Sequence, residues 1–122
     1  MTKAKFLAEN LKPGEHYGGL ILGQNGDPDY HLFVLPGEAE KVIWSKAREW
    51  AKKVGGELPT RREQSLLLAN LKEQFKGVWY WSCEQHAAYS DYAWFQNFSR
   101  GSQDGTSVSD KLRARAVRRL AI

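Results

Sequence analysis

The chain has 122 residues, with 18 Lys plus Arg against 14 Asp plus Glu, for a formal net charge of +4. Hydrophobic residues make up 42% and aromatic residues 12%, which excludes intrinsic disorder and fits one domain around one core. The single cysteine excludes an intrachain disulfide and a four-cysteine zinc site, and no apolar run approaches the ~20 residues of a membrane span.

Residues 1–16 read as an N-terminal arm or short helix without the apolar stretch of a secretory signal; a single domain is expected over 17–122. Gly19 to Gly23 reads as a short strand. Gln24 to Asp29 is dense in turn formers, and Asn25-Gly26 supplies the positive-φ pair of a tight turn. Tyr30 to Leu35 is a second strand, stopped by Pro36-Gly37, so the two form a hairpin. A helix is expected over about Glu38 to Val54, because Ile43, Ala47, Trp50, Ala51 and Val54 recur on one face. Gly55-Gly56 ends it.

Thr60 and Glu63 form a capping box for a second helix, with Leu67, Leu68, Leu71 and Phe75 as its buried stripe. Val78 to Ser82 and Tyr92 to Phe98 are aromatic strands. Ser99 to Asp110 reads as a polar loop, and Leu112 to Leu120 as a last strand whose alternation breaks near Val117, where a bulge is expected. Hairpin, two helices, then three antiparallel strands is an α+β order, with helices on one side of a small twisted sheet.

The order and spacing of Trp44-x-x-Ala47-x-x-Trp50-Ala51, Gly56-x-Leu58-Pro59-Thr60-x-x-Glu63, Tyr80-Trp81-Ser82, Ala93-Trp94-x-x-x-Phe98-x-x-Gly101 and Arg115-Ala116-Val117-Arg118 resemble the DUF1566 family. These are bacterial and phage domains akin to the C-terminal domain of the Legionella collagen-like adhesin. The stretch Gly26-Asp27-Pro28-Asp29-Tyr30-His31 resembles the hairpin of the phage-borne branch. The resemblance covers about residues 39–119. It implies a C-type-lectin-like fold, a binding module more than an enzyme, and a phage or prophage origin. Related adhesin-like domains imply a trimer; an exposed strand edge or helix face implies a dimer instead.

Lys111, Arg113, Arg115, Arg118 and Arg119 crowd the C-terminal end. They read first as the solvated face of the last strand, and Arg113, Arg115, Arg118 and Arg119 are the candidate basic contacts to an acidic partner. No standard DNA- or RNA-reading motif is present, so nucleic acid is disfavoured. Cys83 and His86 have a Cys-x-x-His spacing, with Asp91 as a conceivable third member, but residues three apart in a tight loop rarely face one another; no catalysis is expected there. Asn25, Asp27 and Asp29 begin like a calcium loop, yet Pro36 stands where the bidentate Glu is needed. No metal and no cofactor is expected.

The best binding candidates fall in the loops after Trp81: His86, Tyr89, Asp91 and Tyr92 in one connection, and Gln96, Asn97, Arg100, Gln103 and Asp104 in the next. Aromatic anchors with adaptable amides and Arg are the residues of recognition surfaces. The expected function is therefore a non-enzymatic phage-encoded protein that engages a host protein in the host cytoplasm, a defence factor among the candidates. The alternative is a virion-associated lectin-like module that binds a cell-surface glycan or receptor. No membrane partner is expected.

Overall fold

The computed structural model describes residues 2–122. The protein is an α+β domain of three helices and two sheets. In chain order the elements are α1 (Lys3–Asn10), β1 (His16–Ile21), β2 (Tyr30–Val34), β3 (Ala39–Val42), α2 (Trp44–Lys53), α3 (Arg61–Leu71), β4 (Trp79–Gln85), β5 (Tyr92–Asn97), β6 (Gln103–Ser107), β7 (Leu112–Ala114) and β8 (Val117–Ala121). None of the described helices is long and apolar enough to cross a membrane.

The N-terminal hairpin forms as its turn chemistry requires. Asn25 and Gly26 take φ of 54° and 87°, and Asp27 N–H donates to the Gln24 carbonyl at 3.0 Å. β1, β2 and β8 make an antiparallel three-stranded sheet with β2 at its centre. β2 is covered on both faces. Leu32 and Val34 face the core beneath α3, while Phe33 and His31 meet Phe6 of α1. The N-terminal arm is thus a helix, capped by Thr2 and fastened to the sheet by an aromatic cluster.

The second sheet has the order β3-β7-β4-β5-β6 and is mixed, because β4 and β7 run parallel. This corrects the purely antiparallel sheet expected from the sequence. Four local readings are corrected with it. Residues 39–42 form β3 instead of the first turn of a helix, so α2 begins at Trp44. On α2 only Ala47 and Ala51 are fully buried, and Val54 is exposed. The polar stretch 103–107 is a strand, β6, paired along its length with β5. Its Gln, Asp, Gly, Thr and Ser carry no apolar alternation because it is an edge strand, held by backbone bonds. The expected last strand is two strands: β7 belongs to the second sheet and β8 to the first. Arg115-Ala116 carries the chain from one sheet to the other, which is why the alternation breaks near Val117.

α3 forms where its capping box is written. Thr60 Oγ1 accepts from Glu63 N–H at 3.1 Å, and Glu63 Oε1 accepts from Thr60 N–H at 2.8 Å. Leu67 and Phe75 are buried, with Leu68 and Leu71 half-buried. Together with Tyr80, Phe98 and Val117 they fill the space between α3 and both sheets. On the other face of β4 and β5, Trp81 and Phe95 pack with Ala47 and Ala51 of α2 and with β3 and β7, so α2 and α3 cover opposite faces and not the one side expected from the sequence. The fully buried Trp81 indole donates to the Val42 carbonyl at 2.8 Å, and Trp44 donates to the Ser82 carbonyl at 2.9 Å. Each large ring thus keeps its one polar atom satisfied.

Candidate functional site

The expected C-terminal basic stripe is corrected by the packing. Arg113 lies 3.9 Å from Glu38. Arg115, buried, donates to the carbonyls of Gln74 at 2.8 Å and Leu35 at 3.0 Å. β8 then alternates, sending Arg118 toward α1 and Arg119 toward α3. Arg118 forks onto Glu15 at 2.7 and 2.8 Å and lies 4.0 Å over the Phe33 ring. Arg119 forks onto the fully buried Glu63 at 2.6 and 2.9 Å and reaches Glu57 at 2.7 Å. These arginines pin strands to helices. Their partners lie 41 to 108 residues away in the chain, so no local pattern reveals them.

Glu63 also accepts from Tyr30 Oη at 2.5 Å. Burial alone raises a carboxyl pKa, but bonds from Arg119, Tyr30 and the Thr60 amide outweigh it, and Glu63 is held below its ordinary value. Burial and the same carboxylate push the Tyr30 phenol up to about 12. Glu63 therefore has two jobs, capping α3 and docking β2 and β8 against it.

The candidate binding residues separate into two groups at opposite ends of β5. Strand β5 is six residues long, or about 20 Å at ~3.3 Å per residue. His86, Tyr89, Asp91 and Tyr92 gather at its start. Asn97 and Arg100 lie at its finish, in the turn to β6. Gln96 is corrected outright: its side chain is fully buried, donating to the Asn97 and Ser102 carbonyls at 3.1 and 3.2 Å. Gln103 lies on β6 and donates to Gln96 Oε1 at 2.9 Å and the Arg61 carbonyl at 2.8 Å, so it ties β6 to α3. Asp104 sits on β6 opposite Phe95, its carboxylate turned back to the Gly105 amide.

At the start of β5 the rings form a contiguous cluster, with one stacked pair and two tilted ones. Trp94, half-buried, has the Arg61 guanidinium 4.1 Å over its ring. The His86 imidazole stacks on Trp94 with centroids 5.0 Å apart and planes within 9°. Tyr89 follows at 5.3 Å from His86, and Tyr92 at 5.9 Å from Tyr89. Tyr89 is 61% exposed and Tyr92 39%. The loop beneath them is stiff: His86 N–H donates to the Tyr92 carbonyl at 2.8 Å, Tyr92 N–H to the Tyr89 carbonyl at 3.0 Å, and Ala88 N–H to His86 Nδ1 at 3.1 Å. The Asp91 carbonyl accepts from Val108 N–H at 2.9 Å. Gly105 makes room on the neighbouring strand, since a Cβ there would stand 3.1 Å from His86 Cδ2. Arg61 was not among the residues expected to take part in binding. The signal for Arg61 was its position at the first residue of α3, facing the strand that carries Trp94.

Cys83, one strand earlier, is half-buried and packed against the second core cluster beside Trp81 and Phe95. Burial, with the Glu84 carboxylate behind it, raises the thiol pKa, the opposite of an activated nucleophile. His86 is committed to Trp94 and to the Ala88 amide. Among the described residues no three His, Cys, Asp or Glu side chains gather as a metal site would.

At the finish of β5 a cleft of about 700 Å³ opens between the start of β4, the turn after β5 and the start of β7. Asn97 Oδ1 accepts from the amides of Ser99 and Arg100 at 2.9 and 3.2 Å, which sets the turn that carries Arg100. Comparison of the chain with protein-family models finds no matching family, and comparison with curated proteins finds no matching protein.

Proposed function

We propose that this protein is a non-enzymatic binding module with a C-type-lectin-like arrangement, of the phage-borne DUF1566 type that its motifs resemble. In this reading it engages a host protein inside the bacterial host, with a defence factor as one class of target. The observation that carries the reading is the Trp94–His86–Tyr89–Tyr92 ring cluster. Large exposed rings are recognition anchors because they bring contact area with few rotatable bonds to freeze. Here main-chain hydrogen bonds order the loop that carries the rings, so less backbone entropy remains to be lost on binding. Asp91 supplies a carboxylate at one side, and Arg61, ion-paired with Glu84 at 3.3 Å, a guanidinium at the other. The raised thiol pKa of Cys83 supports binding over nucleophilic chemistry.

The test is affinity capture from host lysate with tagged wild-type protein and a Tyr89→Ala/Tyr92→Ala variant. Both residues are exposed, so the variant keeps its melting temperature. One host protein retained by wild type and lost by the variant supports the reading, followed by reconstitution from pure components with a loss of about 30-fold or more in affinity, the scale of a hot-spot ring. Equal retention by both proteins refutes it.

The flatness of the same rings favours one second reading, a virion-associated module whose tyrosines stack on a sugar face and bind a surface glycan. A glycan array probed with the same two proteins, and an antibody search of purified particles, distinguishes this from the intracellular reading.

A further inference from the structure

The cleft at the finish of β5 takes no part in the ring cluster at its start. Its volume of about 700 Å³ falls in the range of small-ligand sites. Trp79 forms part of its wall. One side of the indole rests on Phe95, with centroids 4.2 Å apart and planes within 15°, yet the residue is 45% exposed. Its neighbours Tyr80 and Trp81 are buried. The ring is held flat from behind and open in front, which is the geometry of a stacking platform.

The charges around the platform differ from those elsewhere in the protein. Lys41, Arg100 and Lys111 line the cleft, and among the described residues none of them has a carboxylate oxygen within 4.0 Å. The arginines of β8, by contrast, are all matched to glutamates. Two acids, Glu40 and Asp110, also stand on the cleft wall, the latter accepting from the Thr106 hydroxyl, so the three unpaired cations outnumber the carboxylates. A turn fixed by Asn97 holds Arg100 in place.

We propose that this cleft binds a mononucleotide, with the base stacked on the open face of Trp79 and the phosphate met by Lys41, Arg100 and Lys111. A platform without cations would take any flat apolar group, and cations without a platform any anion. The pair selects a ligand that is planar at one end and anionic at the other. The site shares no ring with the face proposed above, so it stands or falls separately.

The experiment is a titration of ¹⁵N-labelled protein with adenosine 5′-monophosphate, followed by amide and indole N–H shifts. The Trp79 indole signal is identified by its loss in Trp79→Ala. The expected result is saturable shifts at the Trp79 indole and the Arg100 and Lys111 amides, with Kd below about 1 mM. Adenosine alone, inorganic phosphate alone and glucose 6-phosphate each bind about tenfold or more weakly, since each lacks one half of the ligand. Lys41→Glu/Lys111→Glu, at two exposed positions, weakens binding about tenfold or more while the core signals stay in place. Raising the salt to about 0.5 M weakens the wild type. Absence of saturation at about 10 mM, binding unchanged by the double lysine variant, or glucose 6-phosphate binding as tightly as the nucleotide overturns the proposal.

Discussion

Glu63 ties α3 to β2 and β8, and its replacement tests how the three-stranded sheet is docked on that helix. The carboxylate is fully buried and accepts four hydrogen bonds: from the Thr60 amide, the Tyr30 hydroxyl and two nitrogens of Arg119. Glu63→Gln keeps one oxygen for Thr60 but turns an amide donor toward a guanidinium that can only donate. A bond to a charged group contributes about 1.5–3 kcal/mol, and a buried charge robbed of its partner costs about 3–5 kcal/mol. Arg119 retains Glu57 and some solvent contact, which places the expected loss near the lower figure, about 3 kcal/mol. For a domain of this size that lowers the melting temperature by about 10–15 °C. Urea unfolding of wild type, Glu63→Gln, Arg119→Met and the double variant completes a cycle, with a coupling of about 1–3 kcal/mol between the two residues. A cost below about 1 kcal/mol for Glu63→Gln, or no measurable coupling, refutes the reasoning. It would mean that hydrophobic packing alone docks β8 on α3.

Acid should unfold the protein through the same pairs. Glu15 is held below the ordinary value of 4.5 by hydrogen bonds from Arg118; Glu63 is held below it despite its burial. The unfolded chain takes up these protons at higher pH than the native one. The stability they contribute is therefore complete above about pH 4.5 and is lost as pH falls through their lower native values. The urea midpoint should hold between about pH 7 and 5 and drop below about 4.5, with a shallower drop in Glu63→Gln; parallel curves for the two proteins count against this account. Gly56→Ala should cost about 2–3 kcal/mol, because its Cβ would stand 2.5 Å from the Val117 carbonyl oxygen and 2.7 Å from a Leu35 methyl. Gly55→Ala, in open space at φ +93°, should cost only about 1 kcal/mol from backbone strain; equal losses in thermal denaturation would show that the close approach of 56 to β8 does not matter. Cys83, half-buried with a raised thiol pKa, should react with iodoacetamide at neutral pH about tenfold or more slowly than a free thiol. Labelling at the free-thiol rate would show that strand β4 opens readily.

Much of the architecture is local and therefore legible in the residues. Asn25-Gly26 demands a tight turn because few other pairs tolerate two positive φ angles in succession. Thr60 and Glu63 announce the start of α3 because the cap is written within four residues. The aromatic runs around Trp81 and Phe95 announce strands, and α+β order follows from the succession of these elements. The corrected readings have a common cause. β3 has no apolar run, and β6 is polar throughout; what makes them strands is the partner strand that each pairs with. The division of the last strand between two sheets is set by where β2 and β4 already lie, with Arg115 buried at the crossing. The arginines of the C-terminal end looked like a basic surface because charge is visible in a sequence and its partners are not. Only the folded chain brings Glu15 to Arg118 and Glu63 to Arg119. The candidate site follows the same rule. That Tyr89, Tyr92 and Arg100 are of the residue types that recognition surfaces favour is readable from the sequence, whereas a six-residue strand decides that the tyrosines and the arginine stand at opposite ends of the sheet. The stacking of His86 on Trp94, and the open face of Trp79 amid unpaired cations, arise from contacts between strands, which residue order alone does not determine.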